Sequence, residues 1–128
     1  MSVRGLQQVG QPVRDLSRAV AFYRDVLEVA LIADLGHVAF FDLGGITLFM
    51  EAPDGETPAG GGVLYLAVDD VSEVQARLAD AGVTFTGEPH LIHTDETGTF
   101  GPAGGEHWMT FFTDSEDNTL ALYEVREK

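Results

Sequence analysis

Cysteine is absent from the 128-residue chain. That excludes disulfides, thiolate catalysis and cysteine-ligated zinc, and it accords with a reducing, cytoplasmic setting. Long apolar runs are missing too: no stretch approaches the about 20 residues that a membrane-spanning helix needs. The start, Met1-Ser2-Val3-Arg4-Gly5, lacks the apolar core of a secretory signal, so a cytoplasmic protein whose mature form starts here is expected. Positive charge is scarce, with 7 Lys and Arg against 21 Asp and Glu, a formal net charge of −14. Nothing could neutralise a row of phosphates, so neither nucleic acid nor an anionic membrane surface is an expected partner. The acidic excess reads first as a solubility device. Its summed field would also draw in a cationic ligand.

What is present is a repeat. A hydrophobic fraction of 45% in a chain of this length fits one domain with a real core. The segment from Gln8 to Ser17 aligns with Val63 to Ser72, and Asp42 to Met50 aligns with Asp114 to Leu122. Each half reads as one strand, one helix and further strands. In the first, a strand over 6–13 leads to Asp15 as N-cap. Leu16, Ala19, Val20, Tyr23, Val26 and Leu27 then recur at helical spacing. Strands are expected around 37–43 and 46–52, joined by the tight-turn pair Gly44-Gly45. Residues 53–62 are rich in Pro, Gly and acid and read as a linker. The second half repeats the plan. A strand over 63–68 precedes Asp70, which with Glu73 resembles a capping box. A helical stripe of Val71, Val74, Leu78 and Ala81 stops at Gly82. A short strand over 83–86 is expected next, then a long glycine-bearing loop over 94–106, then closing strands over 107–113 and 119–125.

Three stretches carry a resemblance: Val13-Arg14-Asp15-Leu16, Phe22-Tyr23-Arg24-Asp25-Val26-Leu27, and the closing run from Phe111 to Leu122. Together with their order and duplication, they resemble the vicinal oxygen chelate superfamily, which includes glyoxalase I, bleomycin-resistance proteins and extradiol dioxygenases. The resemblance implies an α+β fold of two βαβββ modules, about 3–52 and 63–125, whose curved sheets form a small-molecule cavity. It also implies a homodimer. Glu28 stands where the family usually has Gly, and Ser115 and Asp117 replace the Pro and Gly of its closing turn. Asp tolerates the left-handed conformation that such a turn needs.

By the same resemblance, the family's metal ligands fall at Gln8, Phe49, Val63 and Ala121. A divalent ion needs several N or O donors, and only the Gln8 amide can coordinate. No metal and no cofactor is therefore expected, and the usual Lewis-acid mechanism loses its ion. These four positions are expected to line the ligand site, joined through strand alternation by Tyr65 and Tyr123. Trp108 is a further candidate for stacking on a ligand, or for the core. Glu51 is the best acid or base candidate, with the alternative of a surface residue at a strand end. His90 and His93 are further catalytic candidates, or solvated loop histidines. A relocated metal site from Glu51, His90, His93 and His107 is weaker, because the His90-x-x-His93 spacing does not fit strand alternation. Three functions follow. The first is metal-independent sequestration of a small cationic or aromatic compound. The second is a lyase, isomerase or dioxygenase-type enzyme acting on a small oxygenated substrate. The third is a non-catalytic interaction domain.

Overall fold

The computed structural model describes residues 4–52 and 62–128. The expected linker therefore lies almost wholly outside the described residues. The fold is α+β, with two four-stranded sheets and few helices. The chain groups into two compact units. The first is built from 1–62 with Asp114–Asn118, and the second from 63–113 with 119–128.

In the first unit, β1 (Gln8–Pro12) leads to α1 (Leu16–Ala21), which continues as one π-helical stretch, Phe22–Val26. β2 (Ala30–Asp34), β3 (Val38–Leu43) and β4 (Ile46–Glu51) follow. The sheet order is β1-β4-β3-β2, with β1 parallel to β4 and the other pairs antiparallel. The Gly44-Gly45 turn forms as the sequence suggests. Both glycines have positive φ, +63° and +93°, the conformation a two-residue hairpin of this hand demands. Asp15 caps α1 by accepting from the Arg18 N–H. Leu16, Ala19, Val20 and Tyr23 are buried, together with Phe41, Leu48 and Met50 of the strands. The helix thus covers one face of the sheet, where Tyr23 and Phe41 meet ring to ring. Phe40 and Phe49 pair on the other face.

The second unit repeats this topology. It comprises β5 (Leu64–Ala67), α2 (Val71–Asp80), β6 (His90–Asp95), β7 (Gly105–Thr113) and β8 (Thr119–Arg126), in the order β5-β8-β7-β6. Asp70 caps α2 through the Glu73 N–H, the counterpart of Asp15. At the other end, Val83 N–H reaches the Leu78 carbonyl and Gly82 N–H reaches that of Ala79, with Gly82 at φ +97°. This is a Schellman close, and Gly is the residue that adopts it without strain.

Two expectations are corrected. The short strand expected over 83–86 is only a single bridge between Phe85 and Phe112. The strand lies at 90–95 instead, and β2 also went unread. Both are edge strands with a bulge, between Leu31 and Ala33 in one and between Leu91 and His93 in the other. The extra residue, Ile32 or Ile92, breaks the period-two pattern by which a strand is recognised. At the first helix end, Glu28 sits at φ +58°, and in the closing turn Asp117 sits at φ +64°. Two of the departures from the resembled pattern thus occupy left-handed positions, where a side chain costs conformational energy.

Candidate functional site

A strand offers alternate side chains to its two faces, so the helices define which face is free in each unit. In the first unit, Gln11 is buried and donates to the Tyr23 hydroxyl at 3.3 Å, which fixes it on the helix side. Gln8, Gly10 and Pro12 therefore point to the free face, beside Thr47, Phe49 and Glu51 of β4. Gln8 and Glu51 are both exposed, and Phe49 packs against Phe40. The buried amide of β1 is thus Gln11 and not Gln8. Glu51 stands at a strand end without the apolar burial that would favour it as a proton-transfer group.

Behind this face lies a polar cluster that sequence reading missed. The Tyr23 hydroxyl donates to Asp114 at 2.6 Å, and Asp114 also accepts the Glu116 and Asn118 N–H groups. Burial, then the Asp114 charge, pushes the Tyr23 phenol far up. Glu116 accepts the Arg14 and Asp15 N–H groups at 2.7 and 2.8 Å and pairs with the Arg18 guanidinium. Burial alone would raise its carboxyl. The Arg18 hydrogen bond, the Asp15 N–H, the Ser115 hydroxyl and the Arg14 N–H outweigh that and hold it at about 2. These groups build the helix N-terminus rather than a reaction centre.

The second unit has a different free face. Glu124 accepts the Val71 N–H at the start of α2, so Leu120, Leu122 and Glu124 face the helix. Ala121, Tyr123 and Val125 face away, and so do His107, Met109 and Phe111 across β7. Tyr65 lies beside Ala121, and Val63 directly precedes that strand. On this face six rings run in sequence across the sheet: Phe100, His93, His107, Tyr123, Tyr65 and Phe111. Neighbouring centroids are 5.5 to 6.4 Å apart and the rings meet at steep angles. His107 is nearly buried and its Nδ1 is hydrogen-bonded to the Tyr123 hydroxyl, whereas Tyr65 is 55% exposed.

The β6 bulge explains why His90 and His93, three apart, share this face. His90 stands opposite Met109 and His93 opposite His107, with Ile92 as the extra residue. His90 is exposed, with Nδ1 3.3 Å from the Glu88 carbonyl. Trp108 lies on the opposite face of β7. Its indole N–H donates to Glu106, and the Arg126 guanidinium sits 4.2 Å above its ring. It takes no part in the band.

Phe100 reaches the band because Asp95 folds the following loop. Asp95 is buried and accepts the Thr99 and Phe100 N–H groups, each at 2.8 Å, while its carbonyl accepts from Gly104. The Phe100 N–H lowers the Asp95 carboxyl most. Burial opposes it, and the Thr99 N–H and the nearby His107 and His93 add to the lowering. Neither Asp95 nor Phe100 stood out in the sequence. The available signal was an Asp opening a Thr-Gly-Thr loop, a local hydrogen-bonding pattern.

At the positions that the resemblance gives to the family's metal ligands, the first unit offers one amide and the second offers none, since Phe49, Val63 and Ala121 have no donor atom. Among the described residues, no three His, Cys, Asp or Glu side chains are grouped as a metal ion would require. The donor set does not fit the family's ion.

Comparison with known proteins agrees with the architecture. No curated protein matches the chain. Among solved structures, lactoylglutathione lyase from Agrobacterium tumefaciens is 22% identical, with a TM-score of 0.73 over 97% of this chain and 96% of that one. TnmS3, an antibiotic binding protein from Streptomyces sp. CB03234, is 25% identical, with a TM-score of 0.72 over 98% of each chain. A member of the glyoxalase/bleomycin resistance protein/dioxygenase superfamily from Sphaerobacter thermophilus DSM 20745 is 21% identical, with a TM-score of 0.71 over 97% of this chain and 99% of that one. The family model matches residues 5–122, so the chain belongs to the Glyoxalase/Bleomycin resistance protein/Dioxygenase superfamily.

Proposed function

We propose that this protein binds a small aromatic or cationic compound and sequesters it without the metal ion usual in its superfamily, acting as a homodimer in the cytoplasm. The observation that carries the reading is the six-ring band on the free face of the second sheet. Its rings present both faces and edges, and Tyr65 stands open to solvent. Aromatic rings contribute large contact area at little conformational cost. The donor-free positions Phe49, Val63 and Ala121 support binding over Lewis-acid chemistry, and the net charge of −14 favours cations over anions. The likeness to an antibiotic binding protein points the same way.

The test begins with elemental analysis of protein purified without chelator, followed by thermal-shift screening against cationic aromatic antibiotics. Stabilisation of metal-free protein by one such compound, lost in Tyr65→Ala, is the expected result. Stoichiometric divalent metal together with turnover of a ketoaldehyde would overturn the reading.

A further inference from the structure

At one end of the ring band, three rings meet pairwise rather than in line. His93 and Phe100 are 6.1 Å apart, His93 and His107 5.6 Å, and Phe100 and His107 6.0 Å, with interplanar angles of 88°, 58° and 67°. Three mutually inclined rings make a corner and not a stack. Phe100 is 74% exposed and His93 is exposed, so their outer faces are open, while His107 is nearly buried at the base. An exposed Phe in a loop would ordinarily sample many positions. This one is fixed at its backbone by the buried Asp95, which accepts the Phe100 N–H.

We propose that the corner of His93, Phe100 and His107 is a subsite for an organic ammonium group, the head of a ligand whose flat part lies along Tyr123 and Tyr65. The proposal rests on the small-molecule-binding reading above and specifies the chemistry of its ligand. Three features select a cation. Ring faces carry negative potential and attract an ammonium within about 6 Å of the centroid, most strongly where it is partly desolvated. The buried Asp95 carboxylate accepts the Thr99 and Phe100 N–H groups at 2.8 Å each, so a fixed negative charge sits at the foot of the corner. The strand residues on this face, from His93 and Asp95 to Tyr123 and Val125, include no Lys or Arg. Arg126 is on the opposite face, over Trp108. A carboxylate or phosphate ligand would meet the repulsion of Asp95 and no lysine or arginine, and an imidazole of this face would attract it only when protonated. An alkylated ammonium suits the corner better than a bare one, because apolar rings cannot replace the hydrogen bonds that a primary ammonium makes with water.

The experiment is a titration of the full chain, followed by NMR shifts of the His and Phe ring protons. The probes are choline and its neutral isostere 3,3-dimethyl-1-butanol. The expected result is at least tenfold tighter binding of choline, with shifts concentrated at His93, Phe100 and His107. Phe100→Leu should weaken choline about tenfold and leave the fold intact, since the side chain is mostly exposed. Phe100→Trp should restore binding. His93→Phe should retain it, and His93→Lys should abolish it, a contrast that a purely structural role would not produce. Equal binding of the isostere, or unchanged choline binding in Phe100→Leu, overturns the subsite. If that occurs while aromatic antibiotics still stabilise the protein through Tyr65, the wider reading stands and only the ammonium assignment falls. If neither class of compound binds, both fall.

Discussion

The two units share a framework and differ in what they place on it. Each has the same strand order, an Asp N-cap at the same point of its helix and a bulged edge strand. Their free faces diverge. The first carries one ring pair, Phe40 with Phe49, beside the exposed Gln8 and Glu51. The second carries the six-ring band with two imidazoles. Their helix starts diverge in the opposite sense. Glu116 in the first unit accepts two backbone N–H groups and an arginine, whereas Glu124 in the second accepts one N–H and Arg126. Duplication has therefore kept the backbone solution. One copy has the more extensively bonded helix start, and the other carries the more elaborate set of rings.

The sharpest way to break this comparison is at the two carboxylates. Glu116→Gln should cost about 2 to 3 kcal/mol, because buried N–H donors and a charged partner lose an anionic acceptor. Glu124→Gln should cost about 1 kcal/mol, having fewer such bonds. Urea unfolding of both variants tests the ranking, and equal losses would remove the asymmetry. The same carboxylate gives a pH signature. Glu116 is held at about 2, below the about 4.3 of an unfolded chain. Its contribution is thus complete above pH about 4.3 and is lost as the pH falls through about 2. The stability gap between the natural protein and Glu116→Gln should shrink steadily from pH 5 to pH 2. A constant gap would locate its effect in packing alone.

Next in size is the contrast between faces. Tyr65→Ala should weaken an aromatic ligand about tenfold, or about 1.4 kcal/mol, with little change in melting temperature, since the ring is half exposed. Phe49→Ala, on the plainer face, should weaken it less. Calorimetric titration of both variants would settle the order, and a larger loss at Phe49 would reverse the assignment. The smallest effect concerns the helix ends. Gly82→Ala should cost about 1 kcal/mol, whereas Glu28→Gly should gain about 0.5 kcal/mol by relieving a left-handed side chain. Thermal melts are precise enough to see the two opposite signs.

The repeat made the fold readable because the Asp15 and Asp70 caps and the Gly44-Gly45 turn are local signals, set within a few residues. The edge strands escaped because Ile32 and Ile92 disturb the alternation that betrays a strand. The free-face positions of Tyr65 and Tyr123 were accessible through that same alternation. Trp108 was not, because its face depends on a register that only the β7–β8 pairing fixes. Phe100 and Glu116 had no periodic signature at all. One depends on a loop hydrogen bond to Asp95, and the other on contacts about 100 residues away in sequence.

That long reach has a consequence for how the chain is made. Asp114 to Asn118 belong to the first unit, although they are encoded near the end of the chain. A nascent chain leaving the ribosome at residue 62 has α1 but lacks Glu116 to receive the Arg14 and Asp15 N–H groups, and Asp114 to receive the Tyr23 hydroxyl. The N-terminal half therefore draws part of its own hydrogen bonding from the far end of the sequence. Its helix start gains these acceptors only once residues 114–118 have been synthesised, after nearly all of the second unit.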